Sequence, residues 1–356
     1  MSFPPAYDQT VAVRAGEELN IPALEQYLEH NLPGFGGITA VKQFPGGYSN
    51  LTYLLQTPNA DYVLRRPPFG ANIKTAHDMG REYSVLSLLH QVYPKVPHPI
   101  LYCPQTTVIG APFYLMQRIN GVILRNQPPE GIDLSPALLR QISEATVDNL
   151  AQLHGLDVEQ TGLLSLGKPD GYVQRQVTGW IQRYQKAETD AIPDMNLLAR
   201  WMPENIPQTT DIAFIHNDYK YDNLVLNPNS LTQIIAVLDW EMATIGHPLM
   251  DVGTTLAYWA QPNDHPALIG FSLTSRPGNL TRTEALQRYA QKSGLPVHDF
   301  VFYYAFGCFK IGVICQQIYA RYKKGLTTDP RFATLLLLVK AIAHNGVRAI
   351  QSGYID

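Results

Sequence analysis

The segment from Phe214 to Asn223, FIHNDYKYDN, contains the side chains of this sequence that are best suited to chemistry. Transfer of a phosphoryl group depends on positioning and charge stabilisation, so it needs a carboxylate beside the attacking hydroxyl and an amide oxygen on a metal ion. Asp218 would orient a substrate hydroxyl and accept its proton. Asn223 would bind magnesium from the far end of the same loop, and Lys220 would reach the transferring phosphoryl group.

Within this segment, His216, Asp218 and Asn223 match the pattern H-x-D-x-x-x-x-N of the kinase catalytic loop. Three residue types at a fixed spacing also arise by chance, so the motif alone is moderate evidence. In the alternative interpretation, Asp218 is a turn residue and His216 is a core histidine whose hydrogen bonds are satisfied. The elements around the motif therefore decide its meaning.

Two short apolar runs follow this segment and predict a β-hairpin. Residues 224–226 and 234–238 are apolar, and the sequence Asn-Pro-Asn-Ser lies between them. The second run is followed by Asp239, at the place where kinases have a metal-binding aspartate after a buried strand. We expect Asn223 and Asp239 to be the metal ligands, converging on one metal-phosphate cluster. As an acid in a surface turn, Asp239 would have no such role.

The N-terminal half offers a turn that could cover phosphates. It has the sequence PGGYSN, and its backbone amides and small side chains come from Gly46, Gly47, Ser49 and Asn50. Because it is not a G-x-G-x-x-G motif, this turn is a weak signal by itself and usually indicates only a β-turn.

A candidate ion pair follows the turn. Arg65 ends a strand-like run in the place where kinases have a lysine, and Glu82 lies on the next predicted helix. Order and spacing suit the pairing of a strand cation with a helix glutamate that kinases use. The alternatives are a solvated strand end for Arg65-Arg66 and an exposed helix face for Glu82.

Hydrophobic spacing and turn residues predict the elements that position these groups. A capped amphipathic helix is expected over 21–31, strands over 38–44, 51–56, 62–65, 100–109 and 112–118, and a helix over 75–91. After Gly121 the pattern becomes mainly helical, with helices over 135–154, 172–187, 249–260, 281–293, 298–322 and 330–351, and strands over 212–216, 223–227 and 233–238. We therefore predict an α+β fold of two lobes around one cleft. An N-terminal antiparallel sheet with one helix would span residues 1–118, and a mainly helical C-terminal lobe residues 119–356.

The composition predicts a folded protein with a large core and excludes some partners. The chain has 356 residues, and charged residues make up 16% of it, compared with about 25% in an average protein. The net charge of −3 gives no general attraction for nucleic acid or for anionic lipid, so neither is expected as a partner. Binding of anionic groups must then depend on a few well-placed cations. The composition predicts no particular oligomeric state.

Three cysteines, Cys103, Cys308 and Cys315, are too few and too irregularly spaced for a disulfide framework or a zinc site. The first residues lack the pattern of a secretory signal. Lys310 and Lys340 interrupt the most apolar segments, which are then too short for a membrane span. We expect a reduced, cytoplasmic protein without a membrane partner.

The motifs together resemble a known group, the aminoglycoside phosphotransferase and choline kinase-like superfamily. Within it, the chain is most similar to the branch related to the kinase-like domain fused to some acyl-CoA dehydrogenases. The matching stretches occur in family order: GGYSNLTYLL (46–55), YVLRRPP (62–68), HDMGREYSVLSLL (77–89), FYLMQRINGV (113–122), LAQLHGLD (150–157), HNDYKYDNLVL (216–226) and LDWEMATIGHPLMDVG (238–253).

This resemblance implies the protein-kinase-like fold, with ATP and Mg²⁺ as cofactors. It assigns Asp218 as the catalytic base and Asn223 and Asp239 as metal ligands. It further implies that Arg65 contacts the α- and β-phosphates and that Glu82 is its helix partner.

The resemblance also marks a hinge and two departures. Residues 116–119 resemble the segment whose backbone holds adenine, which makes Gln117 and Ile119 cofactor-binding candidates. Asp251 would stabilise the catalytic loop rather than perform chemistry. Arg65 replaces the usual lysine, and a guanidinium is not interchangeable with an ammonium group. Trp240-Glu241 replaces Phe-Gly, so no regulation by flipping of that motif is inferred.

The favoured hypothesis is an ATP-dependent phosphotransferase that phosphorylates a hydroxyl of a small molecule. Its acceptor site would lie between helices 172–187 and 298–322, with aromatic candidates Trp180, Tyr184, Tyr258, Trp259 and Tyr303. The low acid content argues against a polycationic acceptor, and the resemblance suggests a hydroxylated acyl or acyl-CoA-type acceptor. The alternative is a nucleotide-binding pseudokinase or scaffold without turnover, which only Arg65 favours. A P-loop NTPase is weaker still, because no G-x-x-x-x-G-K-[ST] motif is present.

Overall fold

The computed structural model describes residues 9–45, 50–69, 78–327 and 329–356. The chain packs as two compact units. The first contains the described residues up to Ile123 together with residues 224–230 and 234–241. The second contains the remainder, residues 124–223, 231–233 and 242 onward. The first unit thus extends five residues beyond the boundary expected at 118 and also includes most of the predicted hairpin.

A five-stranded antiparallel sheet is the centre of the first unit. Its strands are β1 (Ala40–Gln43), β2 (Leu51–Gln56), β3 (Asp61–Arg66), β4 (Pro99–Cys103) and β5 (Phe113–Gln117). They lie in the order β1-β2-β3-β5-β4, so β3 is central. Tyr53, Leu55, Leu64 and Leu115 are fully buried and pack in one hydrophobic core cluster, which holds these short strands together.

Three helices accompany this sheet, α1 (Ile21–Asn31), α2 (Met79–Leu89) and α3 (Thr106–Ile109). The side chain of Asn20 caps α1 as predicted. Asp78 caps α2 in the same way, and residues 75–77 of the predicted helix lie outside the described residues. The strand expected over 100–109 ends at Cys103, and the remainder forms α3. Gly110, in the left-handed conformation, closes that turn.

The predicted hairpin consists of β7 (Leu224–Asn227) and β8 (Ser230–Val237). It is fixed to the first unit by a bridge between Val122 and Leu226 and by a hydrogen bond from the backbone N–H of Val237 to the carbonyl of Lys95 (2.8 Å). Gly121 allows this approach, because a Cβ there would collide with the carbonyl oxygen of Leu226.

The second unit is mainly helical, as expected. Its helices are α4 (Pro136–His154), α5 (Tyr172–Ala187), α6 (Pro193–Glu204), α7 (Pro248–Tyr258), α8 (Pro266–Ile269), α9 (Arg282–Ser293), α10 (Phe300–Lys323) and α11 (Leu335–Ser352). Strands β6 (Ala213–Ile215) and β9 (Thr244–Gly246) pair antiparallel. Helices α6 and α8 and strand β9 were not predicted from the sequence. The last helix was expected to begin at residue 330, but residues 330–334 form a 3-10 turn instead.

Helix α10 lies at the core of this unit, against α5, α6, α7 and α11. By length and composition, Phe300–Lys323 and Pro330–Ser352 would each be able to cross a membrane, but 78% and 56% of their apolar windows are buried inside the protein. Such burial is typical of core helices. Helices α7 and α10 cross at Gly253 and Gly307, where a Cβ on either glycine would collide with backbone atoms of the facing helix.

Candidate active site

The catalytic-loop candidate connects β6 to β7 and gathers three of the predicted residues. Asp218 lies in the loop, and a 3-10 turn over Tyr221–Asn223 brings Asn223 back to it. Nδ2 of Asn223 donates to the backbone carbonyl of Asp218 (2.8 Å) and to its Oδ2 (3.0 Å). Nζ of Lys220 donates to Oδ2 (3.0 Å) and Oδ1 (3.1 Å) of the same carboxylate. The carboxylate of Asp218 is therefore held from two sides, while its side chain keeps 15% exposure.

Lys220 is charged in this setting. Burial acts to lower its pKa, but the carboxylate of Asp218 and the neighbouring Tyr258 and Asp222 outweigh burial and raise the pKa above its usual value. The ammonium also lies 4.5 Å from the centroid of the Tyr258 ring. In this arrangement Lys220 orients the carboxylate of Asp218, and its predicted contact with a phosphoryl group stays a prediction.

Asp251, at the first turn of α7, fixes the backbone before the catalytic residue. Its Oδ2 accepts the N–H of His216 (2.7 Å), and its Oδ1 accepts the N–H of Asn217 (2.8 Å). Nε2 of His154, on α4, lies 3.1 Å from Oδ2. Burial by itself would raise the pKa of Asp251, but the hydrogen bond and charge of His154 and the contacts with His216 lower it below the ordinary value. Asp251 has the loop-stabilising position that the sequence led us to expect.

The residues just before Asp218 have a constrained backbone. Asn217 has a φ of 67°, in the left-handed region, which is uncommon outside glycine. The fully buried ring of His216 accepts the N–H of Asp218 at Nδ1 (3.2 Å), so His216 has the structural role of the alternative interpretation. The backbone N–H of the candidate base is therefore held by a buried side chain.

Lys310 is a site residue that the sequence analysis did not identify. It lies on α10, is only 2% exposed, and donates from Nζ to the carbonyl of Asn217 (2.7 Å) and to its Oδ1 (3.2 Å). Burial lowers the pKa of Lys310 to about 8, although Asp251 and Asp218 oppose this shift. In the sequence, this lysine was visible only as a charge interrupting an apolar stretch.

In the first unit, Arg65 is surrounded by three carboxylates. Its Nη1 lies 3.2 Å from Oε1 of Glu82, so the expected ion pair is present. Its Nη2 lies 3.0 Å from Oδ1 of Asp239 and 3.7 Å from Oε2 of Glu241. Burial acts to lower the pKa of Arg65, but the neighbouring acids, with Tyr114, raise it well above the usual value. The guanidinium thus links the helix glutamate to the two acids that follow the hairpin.

The turn over 45–50 is only partly described. Gly46, Gly47 and Ser49 lie outside the described residues. Asn50 is buried, and its Nδ2 donates to Oε2 of Glu241 (2.8 Å). Glu241 is therefore a second site residue that the sequence reasoning missed, and its only signal was its position two residues after Asp239.

The hinge candidates lie at the end of β5 and just beyond it. Gln117 has an exposed side chain, and its backbone N–H donates to the carbonyl of His98 (2.9 Å). Ile119 packs against the cluster of Ile123, Val225 and Ala236, under the hairpin. Contact of Gln117 and Ile119 with adenine stays a prediction.

The acids around Arg65 give this part of the first unit an excess of negative charge. Glu82, Asp239 and Glu241 carry three formal negative charges against the single positive charge of Arg65, which leaves a net of −2. Asp239 is the most accessible of them, with a side chain 32% exposed. Magnesium binds one or two protein carboxylates together with substrate phosphates and water. Among the described residues, no group of three or more His, Cys, Asp or Glu could hold a metal ion, and a magnesium site here stays a prediction.

The predicted metal ligands differ in donor type. Asp239 supplies a carboxylate in the first unit, and Asn223 supplies an amide oxygen in the second. Both are oxygen donors of the kind that Mg²⁺ prefers, and the amide nitrogen of Asn223 is used on Asp218. Their joint use for one ion stays a prediction.

A family model described as the phosphotransferase enzyme family matches residues 40–286, a range that includes Arg65, Asp218 and Asp239. The chain belongs to the phosphotransferase enzyme family. Human acyl-CoA dehydrogenase family member 11 is 35% identical over 92% of this chain. The match covers 42% of that relative, so the chain spans less than half the length of the curated protein.

One solved structure supports the membership in this phosphotransferase family, and a second one shares the fold. A crystal structure from Ralstonia eutropha, assigned to the aminoglycoside phosphotransferases, is 31% identical, covers 94% of this chain and 99% of its own, and has a TM-score of 0.79. Spectinomycin phosphotransferase in complex with ADP and spectinomycin is 14% identical, with coverage of 92% and 98% and a TM-score of 0.59. The latter likeness concerns the fold alone, which is the expected protein-kinase-like one.

Proposed function

We propose that this family member is an ATP-dependent kinase that phosphorylates a hydroxyl group of a small molecule. The observation that carries the proposal is the state of Asp218. Its carboxylate is oriented by Lys220 and Asn223, and its backbone follows two residues whose N–H groups are held by Asp251. Phosphoryl transfer needs such an oriented carboxylate more than it needs covalent chemistry from the protein.

In the proposed reaction, the acceptor hydroxyl donates a hydrogen bond to Asp218. The acceptor oxygen forms the new bond to the γ-phosphorus as the bond from that phosphorus to the bridging oxygen breaks, and the hydroxyl proton passes to Asp218. ADP and the phosphorylated acceptor leave. Asn223 and Asp239 would hold the magnesium ion, which neutralises the charge of the phosphates when it is bound.

Arg65 would contact the α- and β-phosphates, with Gln117 and Ile119 at the adenine. The support for nucleotide use comes from the family and from a fold shared with an ADP complex. All three cysteines are free and buried, and we propose a cytoplasmic location on that basis. The pseudokinase alternative gains nothing from Arg65, because this residue forms the ion pair with Glu82 that the usual lysine would form.

The decisive experiment compares the wild type with Asp218→Asn in binding of Mg·ATP and in phosphoryl transfer to a panel of hydroxylated metabolites. Loss of a general base lowers rates by about 10²–10⁴-fold, so we expect transfer to fall at least about 100-fold while the Kd for Mg·ATP stays within about threefold. Asp133→Asn removes the same charge from an exposed position and should leave both unchanged. Equal rates for wild type and Asp218→Asn would refute the role of the base. Binding of ATP without transfer to any acceptor would favour the pseudokinase.

A further inference from the structure

A cavity of about 260 Å³ lies within the second unit, beside the catalytic loop. Helix α5 provides one wall, and Asn217 and Lys310 also line the cavity. The complete lining is Lys168, Tyr172, Arg175, Gln176, Trp180, Arg183, Asn217, Met242, Thr244 and Lys310. Asn217 directly precedes Asp218, so a molecule in this cavity would lie next to the loop that carries the candidate base.

The lining has a strong charge bias. Lys168, Arg175, Arg183 and Lys310 are cationic, and none of the ten lining residues is an aspartate or a glutamate. A cation placed here would meet four like charges. An anion would instead find several donors of charge-assisted hydrogen bonds in a partly enclosed space.

Several of these cations are held in place. Lys310 is 2% exposed and is anchored on Asn217. The guanidinium of Arg175 donates to the backbone carbonyls of Lys168 and Asp170. The guanidinium carbon of Arg183 lies 4.7 Å from the centroid of the Trp180 ring. A pre-positioned set of cations lowers the entropy that a bound anion must overcome.

The cavity also offers an apolar surface. The ring of Trp180, which is 6% exposed, and the side chains of Tyr172 and Met242 belong to its lining. Of the five aromatic residues expected at an acceptor site, only Trp180 lines this cavity. Tyr184, Trp259 and Tyr303 are buried, and Tyr258 contacts Lys220.

On the basis of the proposed kinase function, we infer that this cavity is the acceptor subsite and that it binds an anionic oxygen group on the acceptor, a carboxylate or a phosphate. The acceptor class is then a hydroxylated acid or hydroxylated phosphate ester whose carbon skeleton contacts Trp180. The anion is held by Arg183 and Lys168, which leaves the hydroxyl to be directed to Asp218.

The test measures binding by the full chain without turnover. Each probe has an uncharged counterpart: 3-hydroxyhexanoate and its methyl ester, and glycerol 3-phosphate and glycerol. Saturation-transfer NMR detects binding, and tryptophan fluorescence compared with Trp180→Phe locates it. We expect the anions to bind and the neutral forms not to bind. Arg183→Gln and Lys168→Gln should each weaken binding about five- to tenfold, in the range of a single charge-assisted contact, whereas Arg348→Gln, an exposed arginine outside the cavity, should not.

Comparison of the two pairs of probes distinguishes a site for a carboxylate from a site for a phosphate. The inference is overturned if neither anion binds, if the neutral forms bind equally well, or if Arg183→Gln and Lys168→Gln bind like the wild type. Binding of Mg·ATP is measured on the same samples. Anion binding without ATP binding would refute the proposed kinase function but support the anion site. ATP binding without anion binding would refute the anion site but leave the proposed kinase function intact.

Discussion

Replacement of Asp251 by asparagine tests how the catalytic loop is held. The two carboxylate oxygens accept the backbone N–H groups of His216 and Asn217 at 2.7 and 2.8 Å, and the residue is fully buried. Asparagine has the same shape but only one acceptor oxygen. Its NH₂ group must therefore face one of the two backbone N–H groups, which is buried and cannot form a hydrogen bond with water instead.

The size of the effect follows from these contacts. One buried backbone N–H left without an acceptor costs about 1–3 kcal/mol. The remaining hydrogen bond loses its charged acceptor, which removes about 1 kcal/mol more. We expect Asp251→Asn to lower the free energy of unfolding by about 2–4 kcal/mol at pH 7.

The pH dependence gives this prediction a second signature. The pKa of Asp251 is lowered in the folded protein, so the ionised carboxylate stabilises the fold above the unfolded-state pKa, and this contribution is lost as the pH falls through the folded-state pKa. The difference between the wild type and Asp251→Asn should be constant from about pH 7 to pH 5 and should shrink below about pH 4.

Chemical denaturation of both proteins across this pH range provides the measurement. Asp157 is a matched control, because its Oδ1 also accepts two backbone N–H groups, those of Glu159 and Gln160, but in an exposed turn. Water and an asparagine cap can replace it there, so Asp157→Asn should cost less than about 1 kcal/mol. A similarly small loss for Asp251→Asn, or a difference that does not change at low pH, would show that Asp251 does not hold the loop electrostatically.

Two further substitutions probe other contacts. Arg65→Lys keeps the positive charge but removes the forked guanidinium that reaches three carboxylates. We therefore expect the KM for ATP to rise about tenfold and the free energy of unfolding to fall by about 1–3 kcal/mol. A KM and an unfolding free energy equal to those of the wild type would contradict this prediction. Gly253→Ala places a methyl group into the backbone of Tyr303 at the helix crossing, and we expect a loss of about 3 kcal/mol or more in denaturation. Gly270→Ala, whose Cβ meets no atom closer than 3.6 Å, should change stability by less than about 1 kcal/mol. Equal losses in the two glycine variants would exclude steric contact as the cause.

The sheet and most helices were predictable because their signals are local. Strand β2 pairs with β3 across a short turn, and a mainly apolar run that is bounded by turn residues is visible within a few positions. The N-cap at Asn20 and the proline that begins α4 gave helix starts within one residue. Over residues 100–109 the apolar run predicted a single strand. It did not show that the strand ends at Cys103 and that residues 106–109 form α3.

The parts of the site that were missed depend on contacts distant in sequence. Lys310 donates to Asn217 across 93 positions, and Glu241 accepts from Asn50 across 191. Nothing near Lys310 distinguishes an anchoring lysine from a charge at the edge of an apolar helix. Helix α6 is a different case, since Met195, Leu198 and Met202 have helical spacing and Pro193 marks its start. That pattern was present and was not used.

Arginine at position 65 was the feature of the sequence that favoured a protein without turnover, and the geometry removes that reason. A lysine ammonium would approach one carboxylate closely, whereas the guanidinium uses Nη1 on Glu82 and Nη2 on Asp239 at the same time. The planar fork therefore preserves the helix ion pair and adds a link to the predicted metal ligand. A residue that maintains both contacts is compatible with catalysis, so the identity of residue 65 does not discriminate between enzyme and scaffold. That decision depends on Asp218, the group that would take the proton.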